Sequence, residues 1–172
     1  MDITLRPARP GDASALSQLA IDSFVAKFGD MYRPEDLSAF LESTHSGDAV
    51  AREIANPLNR YCLADADGSL AGYCKLSLAC GWPEHARGRS VIELKQLYTG
   101  AGMTGVGIGA VLMDWAMAEA RMQGADEIQL SVWSGNDGAQ RFYARYGFAH
   151  VADIHFMVGN QRDEEYLFAK LL

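Results

Sequence analysis

Apolar positions along the chain recur every second residue in some stretches and every third or fourth in others. The changes of period mark the elements. Ile3 to Pro7 alternates like a strand, ended by Pro7 and Pro10. Leu16, Leu19, Ala20, Phe24 and Phe28 follow helical spacing, with Asp12 placed to cap that helix and Gly29 to stop it. Pro34 sits where a first helical turn tolerates proline, and Leu37, Phe40 and Leu41 form a short apolar stripe behind it. Another short helix is predicted from Asp48 to Ala55, stopped by Asn56-Pro57.

From residue 60 the period shortens. Arg60 to Ala64 reads as a strand, Asp65-Ala66-Asp67-Gly68 as a hairpin turn, and Leu70 to Leu78 as the return strand. Cys80 to Arg89 has no period and reads as an exposed loop. Ser90 to Thr99 is a strand and Gly100 to Gly109 a glycine-dense loop. Ile108 to Met122 is a helix with Leu112, Trp115, Ala116 and Ala120 on its inner face, closed by Gln123-Gly124. Glu127 to Val132 alternates as a buried strand. Asn136 or Asp137 can cap a short helix through Arg145, which Gly147 ends. Phe148 to Val158 is a strand, Gly159-Asn160 turns the chain, and Glu165 to Leu171 closes the sheet. This order predicts an α/β fold, a single domain over residues 1–172 with a mixed sheet flanked by helices.

Composition narrows the function. Of 172 residues, 49% are hydrophobic and 22% charged, which excludes a disordered chain. The formal charge of -7 argues against a nucleic-acid partner, which needs a basic stripe, and would attract cationic small molecules. Three cysteines (Cys62, Cys74, Cys80) with no close pair argue against a disulfide framework and a zinc site. The histidines His45, His85, His150 and His155 show no metal-ligand spacing, so no metal is expected. No apolar run approaches the roughly 20 residues of a membrane span. The N-terminus has no signal-peptide core, so a soluble cytoplasmic protein without a membrane partner is expected.

Thr104-Gly105-Val106-Gly107-Ile108-Gly109 follows a strand and opens a helix. Backbone N–H groups at a helix start have no internal partner and converge on an anion, with favourable field from the helix dipole. Glycines let phosphate oxygens approach the backbone, so a pyrophosphate suits the loop. No Gly-Lys-Ser/Thr follows, which excludes a Walker motif, and the flanking elements are not those of a Rossmann unit. A glycine-rich turn that merely allows close packing is the bland alternative.

Asn136-Asp137-Gly138-Ala139-Gln140-Arg141-Phe142-Tyr143-Ala144-Arg145-Tyr146-Gly147-Phe148 follows one helix and one strand later. It resembles the signature of the GNAT N-acetyltransferase superfamily, and the glycine loop resembles that superfamily's acyl-CoA pyrophosphate loop. The start, Ile3-Thr4-Leu5-Arg6-Pro7-Ala8, and the hairpin Gly68-Ser69-Leu70-Ala71-Gly72-Tyr73 are similar too. Phe24, Phe28-Gly29, Pro34-Glu35-Asp36-Leu37 and Phe156-Met157-Val158-Gly159 are similar to the bacterial spermidine/spermine acetyltransferase branch. The chain departs from the family at Thr104, where Gln or Arg is common, and at Gly100-Ala101-Gly102-Met103, where a proline is common.

The resemblance implies a GNAT-type fold with a mixed, mostly antiparallel sheet, and acetyl-CoA as cosubstrate. Thr104, Gly105, Val106, Gly107, Ile108, Gly109 and Ala110 would take the pyrophosphate. Leu97, Tyr98 and Thr99 would present main-chain groups to the pantetheine arm, with Asn136 and Ala139 beside it. Tyr143 is the candidate general acid for the departing thiolate, and Tyr146 reads as packing. The attacking amine must be neutral, and Glu93, aimed at the sheet's opening by alternation with Lys95 and Leu97, is the candidate base. Glu35 and Asp36 read as ordinary helix-start acids. No cysteine has a base at motif spacing, so direct transfer is expected rather than an acyl-cysteine route. The expected acceptor is a polyamine or another small amine. A peptide or protein amino group, or a non-catalytic acyl-CoA sensor, is the alternative. Family members often dimerise, and Trp82, Phe156 or the last strand could lie at such a surface.

Overall fold

The computed structural model describes residues 1–172. Its strands are β1 (Ile3–Pro7), β2 (Asn59–Ala66), β3 (Ser69–Ser77), β4 (Val91–Thr99), β5 (Glu127–Trp133), β6 (Ala149–Val158) and β7 (Gln161–Leu171). Its helices are α1 (Ala13–Phe28), α2 (Pro34–His45), α3 (Gly47–Ala55), α4 (Ile108–Met122) and α5 (Asp137–Arg145). The seven strands form one sheet in the order β1-β2-β3-β4-β5-β7-β6. Every neighbouring pair is antiparallel except β4 with β5.

Each face of the sheet buries a different set of helices. Ile108, Leu112 and Ala116 of α4 pack on Ala64, Leu76, Leu94, Ile128 and Leu130. On the other face Leu16 and Ala20 of α1 and Val50 of α3 pack on Leu63 and Tyr73. Phe24 and Phe40 cover Val158 further along that face. Gly72 lets α4 approach, because a Cβ there would lie 2.8 Å from both the Ile108 side chain and the Tyr98 carbonyl oxygen.

Several elements differ from the sequence reading for identifiable reasons. Asp67 (φ 49°) and Gly68 (φ 83°) both take positive φ, so the β2–β3 turn closes in two residues and Ala66 stays in its strand. Asp12 makes no side-chain cap to α1. Its carboxylate instead accepts the Arg6 guanidinium at 2.9 Å and the Arg9 N–H at 2.7 Å. The segment from Cys80 to Arg89 is anchored: Glu127 accepts the N–H groups of Arg87 and Gly88, each at 2.7 Å. Gln129 grips Trp82 by both backbone N–H (3.3 Å) and carbonyl (3.1 Å). Strand β7 starts at Gln161 rather than Glu165, because the Gly159-Asn160 turn pairs Val158 directly with Gln161.

That turn is tied to α2. Asp36 is buried, and its Oδ1 accepts the Asn160 N–H at 2.8 Å, which holds the carboxyl below the usual carboxylate range. Gly159 has φ +55°, and a Cβ there would stand 2.5 Å from the Asp36 Cα. Gly159→Ala is therefore expected to destabilise the protein by about 1–3 kcal/mol, as overpacking does. An unchanged midpoint in urea denaturation would show that α2 and the turn yield without cost.

Candidate active site

Strands β4 and β5 pair at Val91–Glu127, Ile92–Ile128 and Glu93–Gln129, and there the pairing stops. Beyond Glu93, β4 stays with β3 as far as Thr99–Gly72, while β5 stays with β7 as far as Trp133–Glu165. The two strands therefore splay, and the edge of β4 facing β5 has no strand partner from Leu94 to Thr99. Of that stretch the Thr99 carbonyl is engaged, accepting the Ser23 hydroxyl at 3.0 Å. A bulge accentuates the splay: Gln96 faces Lys75 and Leu94 faces Leu76, leaving Lys95 unmatched. A cleft of about 860 Å³ opens here and reaches both faces of the sheet.

The extra residue shifts the alternation of β4. Ile92, Leu94 and Leu97 all pack against the α4 core, whereas Tyr98 packs on the α1–α3 side. Simple alternation of Glu93, Lys95 and Leu97 toward the opening is thus corrected: the bulge puts Glu93 and Leu97 on different faces. Glu93 is buried at the closed end of the splay, 3.4 Å from the Lys95 ammonium. Burial pushes its carboxyl up, against the pull of Lys95 and Lys75. At about 3.3 Å per residue it lies roughly 16 Å along the strand from Tyr98.

On the α4 side the glycine loop forms the lip of the cleft. The N–H groups of Gly107, Ile108, Gly109 and Ala110 have no acceptor in the chain, whereas Val111 donates back to Gly107 at 3.1 Å. Gly105 (φ +82°) and Gly107 (φ +94°) have nothing within 4 Å of where a Cβ would be. Their glycine character serves the backbone angle and an open surface. Thr104 and Val106 are exposed beside them, while Ile108 is fully buried and fixes the helix start. A Cβ on Gly109 would touch the Phe142 ring at 3.6 Å, and the Ala110 carbonyl accepts the Tyr146 hydroxyl at 3.4 Å. Asn136 caps α5, its Oδ1 accepting the Ala139 N–H at 3.2 Å, and the Asn136 amide NH₂ stays uncommitted. Thr104, Asn136, Ala139 and Tyr143 all line the cleft. Four convergent N–H donors and an unpaired strand edge fit a diphosphate joined to an extended amide-bearing arm.

The Tyr143 ring packs on Phe142 and Phe148, with centroids 5.5 and 6.1 Å away. Its hydroxyl donates to no group of the chain, and burial pushes the phenol up, so it stays protonated at neutral pH. Tyr146 is a packing residue against Phe142, at 5.2 Å. Cys62 and Cys74 face each other across β2 and β3 as free thiols. Burial pushes the Cys62 thiol to about 11 and Cys74 up as well, so neither is a nucleophile near neutral pH.

The opposite wall of the cleft was not foreseen. Phe24, Tyr32, Phe40, His45, Trp133 and Glu165 line it. The Tyr32 hydroxyl donates to Asp163, and the Tyr98 hydroxyl lies 3.4 Å from the His45 ring. Burial lowers His45, keeping its imidazole neutral. Burial first, then Asp163, raises Glu165 to about 7. Sequence alone held one signal for this wall. Asp163 and Glu165 share the parity of buried Leu167 and Ala169, so two acids occupy core-facing positions of a strand.

The model of the acetyltransferase (GNAT) family matches residues 18–148. An uncharacterized N-acetyltransferase in the pepI 3' region of Lactobacillus delbrueckii subsp. lactis is 30% identical over 151 residues, 88% of this chain and 87% of that one. Aminoalkylphosphonate N-acetyltransferase of Salmonella typhimurium is 33% identical over 101 residues, 59% of this chain and 64% of that one. Among solved structures, PaiA N-acetyltransferase from Thermoplasma acidophilum in complex with coenzyme A superposes with a TM-score of 0.82 at 22% identity, covering 100% of both chains. No helix of the present chain is long and apolar enough to cross a membrane.

Proposed function

The chain belongs to the acetyltransferase (GNAT) family and is an acetyl-CoA-dependent N-acetyltransferase; we propose that its acceptor is a small primary amine, a polyamine in the first instance. One observation carries this reading. The β4–β5 cleft joins a glycine loop suited to a diphosphate on one face of the sheet to a wall of aromatic rings and a carboxylate on the other. Such a wall suits an ammonium group, which is attracted to ring faces and to carboxylates. The net charge of -7 favours the same kind of acceptor. The relative whose name specifies an aminoalkylphosphonate supports a small amine in general.

Acetyl-CoA supplies an activated acetyl group as a thioester. In this reading the unpaired edge of β4 at Leu97 and Tyr98 orients the acyl arm and polarises its carbonyl. The N–H groups of Gly107 to Ala110 hold the diphosphate, with Thr104, Gly105 and Val106 shaping the lip. Asn136 and Ala139 border the arm. Tyr143 gives its hydroxyl proton to the departing sulfur. An alkyl ammonium titrates near 10, so only on the order of 10⁻³ of it is free amine at pH 7 and a proton acceptor is needed. Strand position alone nominates Glu93 for that role, although Lys95 already pairs with it at the closed end of the splay. Residues 1–172 act in this reading as one catalytic domain.

A thiol-release assay across an amine panel tests the acceptor. Spermidine and spermine are expected to be acetylated with higher kcat/KM than amines with an uncharged body, and added salt is expected to raise KM. Turnover of a peptide N-terminus with none of the polyamines would refute the polyamine assignment and leave the acetyltransferase standing.

A further inference from the structure

Glu165 stands on β7 where β5 and β7 end their pairing, opposite Trp133 on one side and Ile154 on the other. It lines the cleft, and its Oε2 is sealed from bulk solvent with no hydrogen-bond partner in the chain. A carboxylate oxygen left without a partner in the chain is costly to keep, and a catalytic role is one reason to keep it. The other acids of the cleft region are already committed. Asp163 accepts from the Tyr32 hydroxyl and, at 2.9 Å, from the Gln161 amide. Glu53 is held by Lys75 and Asn59, and Glu93 by Lys95.

Asp163 flanks Glu165 on β7, Tyr32 approaches from the segment between α1 and α2, and Tyr98 from β4. Tyr98 also lies within electrostatic reach of Tyr143 on α5. Lys27 and His45 line the same cleft, and neither forms an ion pair with Glu165. The carboxylate therefore faces hydroxyls, aromatic rings and one further acid, and Tyr98 lies within electrostatic reach of both Glu165 and Tyr143. Glu93 lies at the other end of the splay among lysines.

We propose that Glu165, rather than Glu93, meets the acceptor: its carboxylate, which lines the cleft and is engaged by no donor of the chain, binds the incoming amine as the ammonium and takes the proton whose loss frees the nitrogen lone pair. This rests on the acetyltransferase reading above. The lone pair forms the C–N bond as the C–S bond breaks. Tyr143 gives its proton to sulfur and recovers one from the new amide nitrogen, while the proton held by Glu165 leaves to solvent. Phe24, Phe40 and Trp133 line the same cleft, and Trp133 pairs with Glu165 across β5 and β7, so rings are available to cover the methylene body of a bound ammonium.

A protonated Glu165 cannot accept, so kcat/KM is expected to rise with pH along an acid limb centred near 7, where burial and Asp163 place this carboxyl. Glu165→Gln keeps the shape and is expected to lower kcat/KM by about 100-fold or more and to abolish the limb. Glu93→Gln is expected to keep the limb at whatever rate it retains. Calorimetry without acetyl-CoA gives a readout independent of turnover: spermidine and phenethylamine should each bind Glu165→Gln about tenfold more weakly at pH 8. Circular dichroism and the melting temperature establish that the variant is folded. A folded Glu165→Gln protein with the wild-type limb and wild-type amine affinity would overturn the assignment, as would a limb that vanishes in Glu93→Gln alone. Wild-type protein that releases no thiol with any amine, yet binds amines more tightly than Glu165→Gln, would sink the small-amine acetyltransferase reading while supporting Glu165 as the amine site.

Discussion

Tyr143→Phe is expected to lower kcat by about 10²–10⁴-fold, the usual worth of a general acid, with CoA affinity nearly unchanged. The substitution removes one oxygen and keeps the ring. The contacts with Phe142 and Phe148 at 5.5 and 6.1 Å remain, so stability should barely move. The lost hydroxyl served no other group of the chain, which leaves no orphaned partner behind. A general acid at Tyr143 would give its proton only as the C–S bond breaks, so kcat and kcat/KM should fall together. Burial raises the phenol, so it stays protonated through neutral and mildly alkaline pH and should add no basic limb there. Rapid-quench measurements on the wild type establish whether chemistry limits the rate. Where it does, a variant with near wild-type turnover would mean that water or another group protonates the thiolate.

The parts of the fold that could be read from sequence are those fixed by local chemistry. The glycine loop, the Asn136 cap and the helix of Leu112, Ala116 and Ala120 each carry their own signal within a few residues. Asp67-Gly68 and Gly159-Asn160 marked turns correctly, but the strands beside them run longer than their hydrophobic runs, because pairing continues wherever a partner is in register. What could not be read depends on groups distant in the chain. Glu127 and Gln129 hold a loop about 40 residues upstream, from positions that alternate like any strand. The β4 bulge at Lys95 exists because of how β3 pairs, and it decides which side chains of β4 reach each face. The aromatic wall of the cleft is assembled from α1, α2, β5, β7 and the segment between α1 and α2, so no window of sequence contains it. Its one local trace was an acid at a buried parity, which becomes meaningful only when the register of β7 is known.

Gly107→Glu is expected to weaken CoA binding by about a thousandfold while the protein stays folded. The backbone at this position has φ +94°, and nothing lies within 4 Å of where the Cβ would be. An L-residue pays roughly 1–2 kcal/mol for the left-handed conformation, which a domain of this size can absorb. The new side chain does not collide with the fold; it enters the open surface in front of Ile108, Gly109 and Ala110, whose N–H groups have no other acceptor. Two like charges about 4 Å apart at an effective dielectric near 20 repel by about 4 kcal/mol, which corresponds to that thousandfold loss. Gly107→Ala carries the same backbone strain without the charge, so it should lose far less affinity. The difference between the two variants should shrink as salt is added, since the site is open to ions. Calorimetric titration with CoA at low and high salt reads both effects. A folded Gly107→Glu protein with wild-type CoA affinity would move the diphosphate away from the start of α4 and with it the orientation assigned to the whole cleft.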